Sequence, residues 1–217
     1  MTDLYRYAGL PLYSPATHLR FCSMPVSCKR SITKKEEAKV YPRKGFITPS
    51  VPFAERWFID MNVSIYSRKA IEQLLSANFP NNVAVISFCD PVDCCKSVIH
   101  TPVDYTGKTD RVVHVAIHDI DLSVLPEFGL TYETYFPEAD SVAEFIYSAK
   151  RDGMDIICQC EYGESRSSGC AAAILEHFYK NGISIFADYR YYPNQVVYHK
   201  VFDALENYKR KMVVPYA

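Results

Sequence analysis

The spacing of apolar and polar positions changes at about residue 60, where strands and helices begin to alternate. Residues 61–66 predict a strand, and the spacing after Ser67, a residue type favoured at helix N-caps, predicts a helix through Leu75. Val83–Cys89 and residues 112–117 are short, nearly continuous apolar runs. Such runs are typical of strands buried on both faces of a sheet.

The same alternation continues along the rest of the chain. The predicted elements are a helix over residues 139–149 stopped by Gly153, a strand over 155–159, a helix over 167–179 closed by Asn181 and Gly182, and a helix over 194–211 after Pro193. Strands that alternate with helices favour a parallel sheet. The sequence therefore predicts an α/β domain with a central, mostly parallel sheet of four to five strands and helices on both faces. Ligands of such sheets bind at the carboxyl ends of the strands.

Residues 1–58 differ from the rest because six prolines interrupt them and no helical or alternating period is sustained. We interpret this segment as an extension that packs on a core domain formed by residues 59–217. A charged run over residues 34–39 predicts a short solvated helix rather than a binding patch.

The composition argues against several classes of partner and cofactor. The 217 residues are 48% apolar and 23% charged, with a net charge of -1. Neither nucleic acid nor a membrane is therefore expected as the main partner. No apolar run approaches the length of a membrane span and no secretory signal is evident, so we expect a cytoplasmic protein whose eight cysteines stay reduced. No cofactor or metal is expected, and the oligomeric state is left open.

The most informative segment is residues 155–173, DIICQCEYGESRSSGCAAA, where a buried strand leads through a small loop into a helix. Backbone N–H groups that lead into a helix N-terminus present unpaired donors and the positive end of the helix dipole to one point. We name residues 160–166 the cysteine loop. Gly163 permits close backbone approach, and the planar guanidinium of Arg166 can bind two phosphate oxygens. The residues predicted to bind phosphate are Glu161, Tyr162, Gly163, Glu164, Ser165 and Arg166.

Cys160 is predicted to be the catalytic nucleophile. A thiol that faces a helix N-terminus and an arginine is held as a thiolate at neutral pH. Attack of this sulfur on phosphorus gives a phosphocysteine, while Arg166 and the loop amides stabilise the equatorial oxygens. Ser167 can donate a hydrogen bond to the departing thiolate in the second step.

A general acid is expected near this loop because the leaving oxygen of a phosphate ester needs a proton. The strand over residues 112–117 is followed by His118, Asp119, Ile120 and Asp121. Two carboxylates therefore lie at the carboxyl end of a strand. We predict that Asp119 is the acid, with Asp121 as the second candidate.

The pattern C-x2-G-x2-R-S between a buried strand and a helix resembles the signature loop (P-loop) of the protein tyrosine phosphatase superfamily, and of its dual-specificity-like branch in particular. The resemblance covers about residues 60–212 and is similar to short bacterial and phage phosphatases with CEAGxSRSA-type loops. It implies Cys160 as the nucleophile, Gly163 as the loop glycine, Arg166 as the phosphate clamp, Ser167 as the hydroxyl after the arginine, Asp119 as the acid, and Asn194 after Pro193 as the asparagine that supports the loop.

Three departures from the family pattern affect the expected site. Gln159 stands where most relatives have a histidine that helps to hold the loop, Glu161 and Glu164 add negative charge, and the acid segment is longer. The negative charge argues against highly charged phosphoinositides. Cys158 is expected to be a buried strand thiol, and a redox partnership with Cys160 is the alternative.

Three functions are open on this sequence. The leading one is a cysteine-dependent phosphomonoesterase acting on a phosphorylated protein or a small phosphate ester, by default a phosphotyrosine or dual-specificity protein phosphatase, because that branch usually dephosphorylates proteins. A nucleotide or RNA 5′-phosphatase is the second, for which Tyr162 and the basic residues of the extension offer contact surface. A phosphate-binding pseudophosphatase without turnover is the third, since Gln159 replaces the histidine and two carboxylates compete for the role of acid.

Overall fold

The computed structural model describes residues 60–91 and 101–213. The predicted extension and its charged run lie outside these residues. In chain order the elements are β1 (Val63–Ser67), α1 (Arg68–Ser76), β2 (Val83–Cys89), β3 (Val112–Ala116), a 3₁₀ helix (Leu125–Phe128), α2 (Tyr132–Tyr135), α3 (Ala139–Arg151), β4 (Asp155–Cys160), α4 (Arg166–Tyr179), α5 (Ile183–Phe186) and α6 (Gln195–Val213).

The four strands of the described residues form one parallel sheet in the order β1-β4-β2-β3. Ile157 of β4, for example, lies beside Ser64 of β1 and Val85 of β2. The carboxyl ends of all four strands therefore meet at one edge of the sheet. The predicted α/β fold with a mainly parallel sheet is confirmed. Of the four to five strands expected, the described residues form four.

Side-chain alternation along the central strands supplies a core on each face of the sheet. Cys158 and Cys160 of β4 face the larger core, which contains buried residues of α3, α4 and α6. Ile157 of β4 and Val85 of β2 face a smaller core together with Ile71 of α1. Helices thus cover both faces, as predicted.

β3 departs from the expectation of a strand buried on both faces. Val115 is its only buried residue, whereas His114 and Ala116 are exposed. The reason is its position, because β3 is one of the two edge strands of the described sheet and pairs there with β2. Its apolar run belongs to an edge strand covered chiefly on one side.

Helix ends follow local capping chemistry. The Ser67 hydroxyl accepts a backbone hydrogen bond of 3.2 Å from the first turn of α1, which confirms the predicted N-cap. Gly153, with a φ of 68°, follows α3 as predicted. α4 ends at Tyr179 as predicted, and the Asn181 N–H donates to the carbonyl oxygen of Leu175 at 3.2 Å, but the left-handed residue is Lys180, with a φ of 54°, and not Gly182. Gly182 instead permits close packing, since an added Cβ there would lie 2.7 Å from a carbonyl oxygen of α4.

Hydrophobic periodicity does not reveal the 3₁₀ helix, α2 or α5, because each spans only four residues. A cap does signal α2, since Thr131 and Thr134 form a capping box at its start. Across the described ranges, no helix combines the length and the apolar character that a membrane span requires.

Candidate active site

The cysteine loop lies at the carboxyl end of β4, a central strand of the sheet. β4 ends at Cys160 and α4 begins at Arg166, so the loop joins a buried strand to a buried helix, as predicted. The amino end of this 14-residue helix directs unpaired N–H groups and a positive dipole end toward the loop. Such a junction is suited to bind an anion.

Gly163 holds the cysteine loop against the start of α1. Its φ is 74°, a backbone conformation that favours glycine. An added Cβ would lie 2.6 Å from the nitrogen of Ser67 and 2.9 Å from the carbonyl carbon of Tyr66. Any larger residue would combine backbone strain with a collision against backbone atoms.

The sulfur of Cys160 lies inside the loop, where the Gly163 N–H and the Ser167 hydroxyl both contact it. The residue is 1% exposed. Its Sγ accepts a hydrogen bond of 3.3 Å from the Gly163 N–H and lies 3.1 Å from the Ser167 hydroxyl. Both groups can donate to a negatively charged sulfur.

Arg166 is anchored through one nitrogen of its guanidinium. Nη1 donates to Asp90 Oδ1 and to the carbonyl oxygen of Ile117, each at 2.7 Å, and the side chain is 3% exposed. Asp90 follows β2 and Ile117 follows β3, so the carboxyl ends of two paired strands hold the arginine. Asp90 was not among the predicted site residues, although a carboxylate directly after a strand is the signal that singled out Asp119.

The Nε of Arg166 is buried, yet no described residue accepts a hydrogen bond from it. Asp119 Oδ2 lies 3.7 Å away, which is too long for a hydrogen bond. A buried donor left unpaired costs about 1–3 kcal/mol, and more when charged. The other such nitrogen in the described residues is Arg111 Nε, whose side chain is 36% exposed and pairs with Asp152. The buried, unpaired donor of Arg166 marks a place for an anionic ligand.

The segment after β3 brings Asp119, and not Asp121, to the cysteine loop. Asp119 Oδ1 accepts hydrogen bonds from Ser165 Oγ at 2.6 Å and from Asn194 Nδ2 at 3.0 Å. Asp121 is exposed, and within the described residues no hydrogen bond or ion pair joins its side chain to the loop. The geometry favours Asp119 as the proton donor, and its role stays a prediction.

Tyr135, which the sequence did not single out, anchors the backbone just before Asp119. Its ring is buried and its hydroxyl donates to the carbonyl oxygen of His118 at 2.5 Å. Burial, and then the nearby Asp119, raise the pKa of this phenol, so it stays protonated as a donor. The His118 ring itself packs against Phe128, with centroids 4.8 Å apart.

Asn194 connects the acid segment to α6. Its Nδ2 donates to Asp119 Oδ1 and to the carbonyl oxygen of Ile120, both at 3.0 Å. Its Oδ1 accepts the N–H of Val197 at 3.0 Å, as an N-cap does. Gly169 of α4 allows this approach, because a Cβ there would lie 2.6 Å from the carbonyl oxygen of Asn194. This geometry suits the supporting role predicted for Asn194.

Gln159 lies on the opposite face of β4 from Cys160, in a buried polar network. Its Oε1 accepts hydrogen bonds from Ser87 Oγ at 2.7 Å and from the Tyr105 hydroxyl at 3.4 Å. Its Nε2 donates to the carbonyl oxygen of Cys160 at 2.8 Å. Burial raises the pKa of Tyr105 to about 12, so its phenol stays a donor. The glutamine therefore supplies a hydrogen bond to the peptide group of the predicted nucleophile.

The two glutamates of the loop are bonded within the protein. Arg68 Nε donates to Glu161 Oε2 at 2.8 Å, and the Arg68 N–H donates to the carbonyl oxygen of Glu161 at 3.0 Å. The carbonyl oxygen of Glu164 accepts the N–H of Tyr192 at 2.8 Å. Tyr192 and the loop residue Tyr162 are 84% and 76% exposed, so aromatic surface lies beside the loop.

Two further thiols lie buried behind the loop, Cys158 on β4 and Cys170 on α4. Burial, followed by a hydrogen bond with Cys170, raises the pKa of Cys158 well above its ordinary value. A buried neutral thiol is what the sequence favoured at this position. The redox partnership between Cys158 and Cys160 stays the alternative prediction.

Comparison with known proteins finds similarity among solved structures only, since no family model and no curated protein matches the sequence. The human tyrosine phosphatase-like serine/threonine/tyrosine-interacting protein is 13% identical with a TM-score of 0.40, over 70% of this chain and 93% of that one. PTPMT1 in complex with PI(5)P is 12% identical with a TM-score of 0.39, over 71% and 97%. Unliganded PTPMT1 is 13% identical with a TM-score of 0.40, over 71% and 96%. The chain is thus similar in fold to tyrosine phosphatase-like structures.

Proposed function

We propose that this protein is a cysteine-dependent phosphomonoesterase that works through a phosphocysteine intermediate. The observation that carries the proposal is the nearly buried sulfur of Cys160, bonded by the Gly163 N–H, beside a buried Arg166 whose Nε has no described acceptor. The oxygens of a phosphate monoester can accept from Nε and from loop amides while its phosphorus faces the sulfur.

In the first step, Cys160 Sγ attacks phosphorus, and a P–S bond forms as the bond to the leaving oxygen breaks. Asp119 transfers its proton to that oxygen, so the alcohol or phenol leaves neutral. Arg166 and the loop amides stabilise the charge on the equatorial oxygens.

In the second step, water attacks the phosphocysteine, and the carboxylate of Asp119 takes one of its protons. The P–S bond breaks, and its electron pair returns to the sulfur. Ser167, whose hydroxyl lies 3.1 Å from Sγ, donates a hydrogen bond to this thiolate. Inorganic phosphate leaves, and Asp119 is protonated again for the next turnover.

The substrate class we propose is a phosphorylated protein, with phosphotyrosine first and phosphoserine or phosphothreonine as in dual-specificity enzymes. The exposed rings of Tyr162 and Tyr192 offer contact area for a phenyl group. Arg68 is already paired with Glu161, which disfavours esters that carry several phosphates.

A nucleoside 5′-phosphate is the second candidate substrate. The same two exposed tyrosine rings could stack on a base, and stacking on aromatic side chains is tolerant of base identity. Comparing a phosphotyrosyl peptide, a phosphoseryl peptide and nucleoside 5′-monophosphates at equal concentration separates the substrate classes.

The proposed activity is tested by hydrolysis of p-nitrophenyl phosphate. We expect the wild type and Cys170→Ala, which removes a buried thiol of α4, to hydrolyse this ester, and Cys160→Ser to be inactive. Residual turnover in Cys160→Ser would contradict the proposal. An inactive wild type that still binds a phosphopeptide would replace the enzyme with a phosphate-binding module.

A further inference from the structure

Only one of the two carboxylate oxygens of Asp119 accepts hydrogen bonds from described residues. Oδ1 accepts from Ser165 Oγ at 2.6 Å and from Asn194 Nδ2 at 3.0 Å. No described residue donates a hydrogen bond to Oδ2, which lies 3.7 Å from Arg166 Nε. The two oxygens therefore have different surroundings.

This asymmetry decides which oxygen can carry a proton. An oxygen that accepts two hydrogen bonds has its lone pairs engaged and is a poor place for a third hydrogen. We infer that Ser165 and Asn194 are positioning residues for the general acid, which fix Asp119 so that its transferable proton sits on Oδ2. The inference rests on the proposed function, since it assigns the proton of the proposed acid.

The position of Oδ2 suits proton transfer to a bound ester. Oδ2 faces Arg166 Nε, the buried donor that has no described acceptor. A phosphate bound by Nε therefore lies beside Oδ2, from which the proton can be passed to the ester oxygen. A general acid must be within hydrogen-bond reach of the atom that it protonates.

The two positioning residues are themselves fixed by the elements that build the loop. The carbonyl oxygen of Ser165 accepts the N–H of Gly169 at 2.9 Å and the N–H of Asn194 at 3.1 Å. Asn194 Oδ1 in turn caps α6 through the N–H of Val197. The carboxylate, the cysteine loop and the start of α6 therefore form one connected unit, which holds the acid at a constant distance from the phosphate site.

The test compares two esters that differ in how much they need the acid. The leaving group of p-nitrophenyl phosphate is stable without a proton, whereas the alkoxide of a phosphoseryl peptide is not. Ser165→Ala removes one donor, and Asn194→Asp removes the other while keeping an oxygen to cap α6. For both variants we expect kcat for the phosphoseryl peptide to fall about tenfold more than kcat for p-nitrophenyl phosphate.

Two controls separate positioning from general damage to the fold. Ser165→Thr keeps the hydroxyl and is expected to restore the wild-type ratio of the two rates. Ser184→Ala removes a hydroxyl of α5 that donates to the carbonyl oxygen of Asn181, and it should change neither rate.

A double variant shows whether Ser165 acts through Asp119. Asp119→Asn alone should lower phosphoseryl turnover, and Ser165→Ala added to it should cause no further loss. Equal losses for both esters in Ser165→Ala, or losses that add to those of Asp119→Asn, would overturn the inference and leave the chemistry of Cys160 intact. If the wild type hydrolyses neither ester, the proposed function fails and the inference fails with it.

Discussion

The two ends of α4 carry buried polar groups that are paired to different degrees. Near the carboxyl end, His177 Nε2 lies 2.7 Å from the Tyr147 hydroxyl, and its Nδ1 lies 2.7 Å from Glu206 Oε1. At the amino end, Arg166 is nearly as buried, but no described residue accepts a hydrogen bond from its Nε. Both ring nitrogens of His177 thus have a partner within the protein, whereas the Nε of Arg166 has none among the described residues.

This difference distinguishes polar groups that stabilise the fold from polar groups that are available to bind a ligand. Buried polar groups are normally paired, because an unpaired one lowers stability. His177 is fully paired, whereas the Nε of Arg166 has no described acceptor. We therefore expect that Nε to donate to an anionic ligand. Changes to Arg166 and its side-chain partners should therefore alter activity, and changes to His177 should alter stability.

The largest effect is expected from Arg166→Lys. Lysine keeps the positive charge but lacks the planar set of donors, so we expect kcat/KM for p-nitrophenyl phosphate to fall by about a thousandfold. Arg111→Lys changes the other arginine of the described residues whose buried Nε has no acceptor, at a partly exposed site, and should leave the rate unchanged. Near-normal activity of Arg166→Lys would contradict the claim that the unpaired donor at the amino end of α4 binds the phosphate.

The second effect concerns the backbone of the cysteine loop, which precedes the amino end of α4, and it is an effect on stability. Gly163→Ala should lower the free energy of unfolding by about 2–3 kcal/mol, because its Cβ would meet the backbone of Ser67 at a positive φ. Gly107 has a similar φ of 72° but open space around it, so Gly107→Ala should cost only about 1 kcal/mol. Urea denaturation measures both values. Equal losses would show that the close approach at Gly163 contributes nothing.

A smaller effect is expected from Asp90→Asn, which keeps an oxygen facing Arg166 Nη1 but removes the charge. The guanidinium should be held less firmly, so kcat/KM should fall about tenfold with little change in stability. Asp152→Asn, at the partner of Arg111, is the matched control and should have wild-type kinetics. Unchanged kinetics in Asp90→Asn would mean that the Ile117 carbonyl is sufficient to orient the arginine.

The smallest effect is the pH dependence of stability at the carboxyl end. Burial lowers the pKa of His177 despite the nearby Glu206, so the unfolded chain takes up a proton more readily than the folded one. The free energy of unfolding should be fully present above the ordinary pKa of about 6.5 and should fall as the pH drops below it. His177→Gln should lower stability at neutral pH by about 1 kcal/mol, keep catalytic activity and show a weaker pH dependence. Denaturation between about pH 5 and pH 8 measures this pH dependence. If it is the same in His177→Gln as in the wild type, groups other than His177 cause it.

Sequence patterns were sufficient for features that depend on neighbours along the chain. β2 and β4 were predicted closely because each is a short apolar run, and the cysteine loop because its glycine, arginine and serine are only a few residues apart. The edge position of β3 was missed, since the order of strands in a sheet is not written in any one of them. Asp90 shares with Asp119 the local signal of a carboxylate after a strand, but its contact with Arg166 depends on β2 lying beside β4.

Gln159 illustrates a side chain whose effect depends on distant partners. Its departure from the family histidine favoured a weakened site when only the sequence was considered. In the fold, Ser87 and Tyr105 orient it, and it donates to the carbonyl oxygen of Cys160. These partners lie 72 and 54 positions away in the chain, so no local pattern could have identified them.

The nucleophilic role of Cys160 is tested most directly by trapping the covalent intermediate. The protein is mixed with p-nitrophenyl phosphate, quenched with acid within one turnover, digested and mapped by mass spectrometry. We predict a phosphate adduct on the peptide that contains Cys160, and its loss in Cys160→Ser. Turnover with the adduct on a different residue, or with no covalent adduct at any time point, would contradict a phosphocysteine mechanism.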